Sequence, residues 1–218
     1  LDSERLAQAV IFIALFVLVA GPVHECAHAL MAWRLGDGTA RAFGRVTLDP
    51  VRHFDPVGGS LLILSVLLTG FGFGWAKPTP VNPHFLRGRY AGAMVAAAGP
   101  LSNLLLAAGF AIGFRVLWAQ GIEPNNHSAI NMLQLVFATG VLLNAVLLLF
   151  NLIPIAPLDG SHVLLDVLDY RTARQVSEFM TQYGILLLVV VIIFAGRIIA
   201  PILVPLVNFL LGAQIYFV

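Results

Sequence analysis

The polar and apolar positions of this chain alternate in long blocks rather than at helical or strand period. Three blocks, 6–33, 90–118 and 129–153, are predominantly apolar. Each can cross a hydrocarbon core of about 30 Å, which takes roughly 20 residues of helix. A fourth block, Leu61–Ala76, is shorter and runs into the glycine- and proline-rich stretch GFGFGWAKPTPVNP. A fifth, from Gly184 onward, is interrupted by Arg197, Pro201 and Pro205. It predicts either one span with an interfacial helix or a tight pair of spans. Trp33, Trp75 and Trp118 close three of the blocks, where an amphipathic ring prefers the membrane–water boundary. The pattern predicts an all-α polytopic membrane protein with about four to six transmembrane helices. No internal repeat is found. One membrane-embedded domain is expected over 1–218, with a core at 6–162 and C-terminal helices at 163–218.

Composition agrees with that reading. Of 218 residues, 59% are hydrophobic and 11% charged, against about 25% charged in a soluble domain. The first block is longer than the core of a secretory signal and reads as a span. A net charge of +1 without a basic cluster argues against a nucleic-acid partner. The single cysteine, Cys26, cannot form an internal disulfide.

The positions of the cations orient the chain. Arg34, Arg41, Arg45, Arg52, Lys77, Arg87 and Arg89 all lie between the first and third long blocks. The loop at 120–128 has no Lys or Arg, whereas Arg171 and Arg174 follow the 129–153 block. The positive-inside rule then places 34–89 and 160–182 in the cytoplasm and 120–128 outside. A full crossing by Leu61–Ala76 would split the seven cations between two sides, so a re-entrant segment is expected there. The partial alternation of TARAFGRVTLDP adds a short strand near Arg41–Leu48. The insertion between the first span and the next is thus expected to be cytoplasmic, re-entrant and β-containing.

Ionisable groups inside an apolar helix are costly and point to function. The first block contains GPVHECAHAL, and within it His24-Glu25-Cys26-Ala27-His28, an H-E-x-x-H. Residues four apart share a helix face, so His24 and His28 can reach one metal ion, with Glu25 beside them to take a proton from water. Cys26 lies about 200° round the helix from His24 and is not a ligand. A catalytic zinc site usually has three protein ligands and one open position. FNLIPIAPLDGSH, Phe150 to His162, offers Asp159 as the third ligand, although Pro-x-x-Pro followed by Asp-Gly is also good turn chemistry. A first helix entering from outside carries His24 and His28 to its cytoplasmic end. If the second segment does not cross, Asp159 arrives on that same side.

Taken together, H-E-x-x-H in a membrane helix, AGPLSN at Ala98–Asn103 and NLIPIAPLDG at Asn151–Gly160 resemble the site-2 protease family of intramembrane zinc metalloproteases. The likeness covers roughly Gly21 to His162. It implies a zinc ion held by His24, His28 and Asp159, with Glu25 as general base. It also implies that Asn151 and Pro157 lie beside the substrate strand, in a short form without PDZ or CBS domains. The expected activity is an intramembrane zinc endopeptidase cutting within or next to transmembrane segments of other proteins. A bacterial or archaeal inner membrane is implied by the likeness to short family members, while the cation positions put the site toward the cytoplasm.

Two other readings remain: a metal-containing scaffold that binds transmembrane helices without cutting them, and a metal transporter. Neither gives Glu25 a task, and a transporter more often shows an internal repeat. Asn144 reads as an interhelical hydrogen-bonding residue, Asn103 and Ser102 as the same in preference to facing the site, and Gly99 and Pro100 as close packing. The Pro-rich KPTPVNP reads as an extended loop that could present an edge to an unfolded substrate. His53, His84 and His127 read as solvated loop residues, and His162 as a helix-start residue. No feature assigns an oligomeric state.

Overall fold

The computed structural model of the protein describes residues 3–70, 72–119 and 129–212. The expected outer loop at 120–128 and His127 lie outside the described residues. Within them the protein is helical, with no strand.

The first span is one continuous rod in three parts: α1 (Ser3–Leu15), a π turn (Phe16–Ala20) and α2 (Gly21–Arg34). The π turn has a cause in the sequence. Pro22 lacks an N–H, and its ring crowds the carbonyl four residues earlier. The helix widens just before it, so that Gly21 N–H donates to Phe16 O, five residues back. One residue inserted into a helix rotates the downstream turns by roughly 100°. The His-bearing face of α2 is therefore turned relative to α1.

Two long helices, α6 (Ala91–Ala119) and α7 (Ala129–Asn151), pack side by side at the centre. α6 also receives α2 on one side. After α7 a tight turn at 152–158 leads into α8 (Asp159–Val167), which packs back onto α6. The last long helix, α9 (Tyr170–Ile193), begins in a polar stretch capped by Asp169 and continues straight into the apolar block. A short turn, α10 (Ala195–Ile198), precedes α11 (Ala200–Leu211). At about 1.5 Å per residue, α11 is too short to span. It packs Val207 and Leu211 against Phe114, Val141 and Ala145. Arg115 of α6 donates to its terminal carbonyls, Leu210 O at 2.8 Å and Phe209 O. Of the two expected arrangements for the C-terminal block, this is one span followed by a shorter helix.

Four helical stretches among the described residues are long and apolar enough to cross a membrane: Arg5–Arg34, Ala91–Ala119, Met132–Asn151 and Tyr170–Ile193. Large apolar side chains such as Leu105, Ile185, Leu186 and Ile193 stand exposed along them.

The insertion at 35–90 departs from expectation. The short strand that the alternation suggests near Arg41–Leu48 is absent among the described residues. Residues 39–42 form a helical turn, α3 (Thr39–Ala42), and the chain at 43–49 pairs with no strand. Local bonding overrides the weak β pattern: Asp37 Oδ1 accepts from Thr39 N–H, closing an Asx turn that starts α3. Asp49 and Asp55 likewise cap α4 (Pro50–His53) and α5 (Pro56–Thr69). Gly70, at φ 74°, ends α5, and the extended leg from Gly72 to Asn82 returns along it. Ser65 Oγ accepts from Phe73 N–H at 2.8 Å, and Lys77 N–H donates to His53 O at 2.8 Å. α5 and the unpaired extended leg thus form a hairpin, and Arg87 N–H donates to Leu35 O at 2.8 Å, bringing the two ends of the insertion together.

Buried polar side chains tie this hairpin down. Arg45 is only 4% exposed, and its guanidinium donates to Arg52 O, Lys77 O and Pro78 O, the last at 3.1 Å. Asp37 is fully buried, and its Oδ2 accepts from Asn82 N–H at 2.6 Å. His53 is a second correction. It is 1% exposed, not solvated, and its Nε2 meets Thr47 O at 2.8 Å. His84 is exposed as expected.

Candidate metal centre

α2 presents His24 and His28 to α6, and the ring orientations follow from what each Nδ1 meets. His28 Nδ1 lies 2.7 Å from Val95 O. A carbonyl only accepts, so this nitrogen carries the proton and Nε2 keeps its lone pair. His24 Nδ1 lies 2.6 Å from Asn103 Oδ1, also an acceptor, with the same result. The close approach requires Gly99. A Cβ there would come within 2.3 Å of His28 Nε2 and 2.7 Å of His24 Cε1.

Asp159 completes the group from the first turn of α8. Gly160 lets α8 start directly against the end of α7, because a Cβ there would lie 2.3 Å from Leu152 O. Asp159 Oδ2 is 3.2 Å from His24 Nε2, Oδ1 is 3.4 Å from His28 Nε2, and the two Nε2 atoms are 3.0 Å apart. Among the described residues these three form the one cluster of His, Cys, Asp or Glu side chains able to hold a metal ion.

The cluster faces lone pairs toward one another, and Asp159 Oδ2 is buried without a hydrogen-bond donor. Such an arrangement calls for a positive centre. A proton on one Nε2 would serve: burial raises the Asp159 carboxyl, but the two imidazoles beside it bring it below the usual carboxylate range. A divalent metal serves better. Two imidazoles and a carboxylate are a common catalytic zinc donor set, and tetrahedral bonds of about 2.0–2.1 Å separate ligand atoms by about 3.3 Å. The observed separations bracket that value, so the residues present fit the ion.

Glu25 stands outside this cluster. Its Oε2 accepts from Thr79 N–H at 2.7 Å, and Thr79 Oγ1 donates to the Glu25 main-chain carbonyl at 3.0 Å. Thr79 belongs to KPTPVNP, so the return leg of the insertion grips the helix between the two histidines. Burial lowers the Arg45 guanidinium, and the nearby charge of Glu25 opposes that effect.

Asn151 closes α7, with Nδ2 donating to Leu147 O at 3.0 Å. Pro157 is exposed in the turn before Asp159. Neither is among the converging ligand atoms. Cys26 is half-buried and also apart from them. The sequence reading favours an interhelical bond for Asn103 over a place facing the site; its side chain meets both, His24 Nδ1 at 2.6 Å and Asn144 of α7 at 2.9 Å. The only available signal is its place in AGPLSN, four residues beyond Gly99 and so on the same helix face.

A multi-pass membrane protein with a His-His-carboxylate centre, one glutamate beside it in sequence, belongs to the class of membrane metallopeptidases. Comparison with known proteins names the group. The model of peptidase family M50 matches residues 119–195, a stretch that holds Asp159. The chain is 36% identical over 201 residues to "Putative zinc metalloprotease YwhC" of Bacillus subtilis, covering 90% of this chain and 86% of that protein. It is 30% identical over 193 residues to "Putative zinc metalloprotease Rip2" of Mycolicibacterium smegmatis, covering 84% and 69%. A Rip2 of Mycobacterium tuberculosis is 32% identical over 190 residues, covering 86% and 69%. No solved structure matches the chain. The chain belongs to peptidase family M50.

Proposed function

We propose that the protein is an intramembrane zinc endopeptidase that hydrolyses peptide bonds within or next to transmembrane segments of other membrane proteins. The observation that carries this reading is the convergence of His24, His28 and Asp159 on one point between α2, α6 and α8. His24 Nε2, His28 Nε2 and one Asp159 carboxylate oxygen would hold the zinc. When bound, zinc lowers the pKa of water toward neutrality and polarises the scissile carbonyl.

The residues of the chain supply the remainder. Glu25 is the general base. The Thr79 N–H occupies Oε2, which leaves Oε1 to take the proton of the attacking water and pass it to the departing amine nitrogen. Asn151 uses one amide hydrogen on Leu147 O and has a second to offer a substrate carbonyl. Pro157, exposed next to Asp159, borders the same approach. A substrate helix must unwind to be cut, and extended backbone at membrane depth needs a protein-lined, wet surrounding. The distribution of Lys and Arg supports a site toward the cytoplasm, and the likeness to bacterial relatives supports a bacterial or archaeal inner membrane.

The test compares wild type with Glu25→Gln in proteoliposomes that carry a single-span reporter protein. The expected result is about one zinc per chain in both and cleavage by wild type only. Equal zinc without cleavage of any reporter by either would favour a helix-binding scaffold. Zinc accumulation inside the vesicles, indifferent to Glu25→Gln, would favour a transporter.

A further inference from the structure

We infer that Asn103 and Asn144 are positioning residues of the metal centre, acting as a relay that decides which nitrogen of His24 faces the ligand cluster. The inference rests on the zinc reading above. Its starting point lies on α7, at a group whose polarity is beyond choice. The Gly140 main-chain oxygen can only accept, so the Asn144 side chain 2.8 Å away must turn its NH2 group toward it. Asn144 Oδ1 then faces α6 and accepts from Asn103 Nδ2 at 2.9 Å. Asn103 in turn must show its Oδ1 to His24 Nδ1, at 2.6 Å. That contact forces the proton onto Nδ1 and leaves the Nε2 lone pair aimed at Asp159 and His28. Three helices and one carbonyl thus determine a tautomer.

Both amides are completely buried, at 0% exposure. Neither amide can turn to bulk solvent to replace a lost partner, so a break at any link is transmitted. His28 reaches the same tautomer in one step, from Val95 O. The relay gives His24, on the preceding turn of α2, the same outcome over a longer distance. It also couples the metal centre to the packing of α6 on α7. Groups that orient a ligand histidine through its second nitrogen typically contribute 10- to 100-fold in metal affinity.

The experiment is a competition titration of zinc against a chromogenic chelator on the detergent-purified full chain. Wild type is compared with Asn103→Leu, Asn103→Asp and Asn144→Leu, and the melting temperature of each metal-free protein is recorded alongside. Asn103→Leu removes the acceptor and is expected to weaken zinc 10- to 100-fold. Asn103→Asp keeps an acceptor oxygen at the same position and is expected to stay within about threefold of wild type, despite a lower metal-free melting temperature. Asn144→Leu, which frees the Asn103 amide to turn, is expected to fall between them. If the two amides serve packing alone, the order reverses: leucine is tolerated and the buried aspartate loses zinc with its fold. That order, or equal zinc affinity in wild type and both leucine variants, overturns the relay and leaves the metal centre standing. Should Asn103→Leu fail to fold, Asn103→Asp and Asn144→Leu decide by the same ranking. Wild type without zinc overturns the metal reading and the relay together.

Discussion

His24 and Glu25 are neighbours in the chain, yet two different regions of the molecule hold their side chains. The candidate ligand residues are held by the helix bundle: α6 supplies Val95 O, Asn103 and the gap at Gly99, and α8 supplies Asp159. Glu25 is held by the insertion, through a main-chain N–H of an extended leg. That leg has no strand partner and is tethered by the side chains of Arg45 and Asp37. The bundle side is nearly dry, with His24 and His28 under 10% exposed, whereas Glu25 and Thr79 are only half-buried. The difference implies that metal affinity and proton handling are separable: damage to the bundle should cost the metal, and damage to the insertion should cost turnover with the metal retained.

The largest test of that separation is Asp159→Ala. Losing one of three ligands should weaken zinc by roughly 100-fold or more, read as zinc content after dialysis. Retention of zinc by this variant would sink the assignment of the third ligand. Next is Gly99→Leu, on the bundle side but outside the ligand set. Its side chain meets both imidazoles, so zinc affinity should fall about 10-fold or more and stability by about 1–3 kcal/mol from overpacking. A variant that melts like wild type and binds zinc as tightly would show that the rings are not closely backed by α6.

On the insertion side, Thr79→Pro removes the N–H that holds Glu25. A hydrogen bond to a charged group contributes about 1.5–3 kcal/mol, so kcat should drop about 10-fold or more with zinc content unchanged. Thr79→Val keeps the N–H and should lose less. Loss of zinc in Thr79→Pro would break the division between the two regions. The smallest effect concerns Asp37. Burial raises its carboxyl, but hydrogen bonds from Thr39 and from Asn82 N–H outweigh this and hold it below the usual carboxylate range. A depressed folded value stabilises above the unfolded value of about 4 and loses that contribution as pH falls through the folded value. Limited proteolysis of the insertion should therefore speed up below about pH 4 in wild type. In Asp37→Asn it should already be faster at neutral pH and much less sensitive to acid. A flat, identical profile for both would remove Asp37 as the anchor of the return leg.

Much of the centre is legible in the chain because its signals are local. The i, i+4 spacing of His24 and His28 puts two rings on one helix face whatever surrounds them. Block length alone announces the spans at 6–33, 90–118 and 129–153. Asp159 is legible as a candidate ligand only when the side of the membrane reached by each block is counted, since Asp-Gly after Pro-x-x-Pro is also an ordinary turn. The insertion misleads at Arg41–Leu48, where Val46 and Thr47 suggest a strand. The Asx turn of Asp37 and the burial of Arg45 outweigh so weak a propensity. His53 misleads too, because nothing in its neighbours along the chain reveals that Thr47 and the hairpin enclose it.

What the amino-acid sequence by itself determined is therefore what depends on short separations: the spanning helices, the paired histidines, the break before Pro22 and the caps at Asp49, Asp55 and Asp169. What only the tertiary structure decided is which distant groups complete them. Asn103 and Asn144 are 41 residues apart, Thr79 lies 54 residues from Glu25, and Arg45 reaches Pro78 across 33. Hydrogen bonds over such distances follow no period in the chain. They are selected because a buried polar group without a partner is costly, and only the packed helices determine which partner stands within reach.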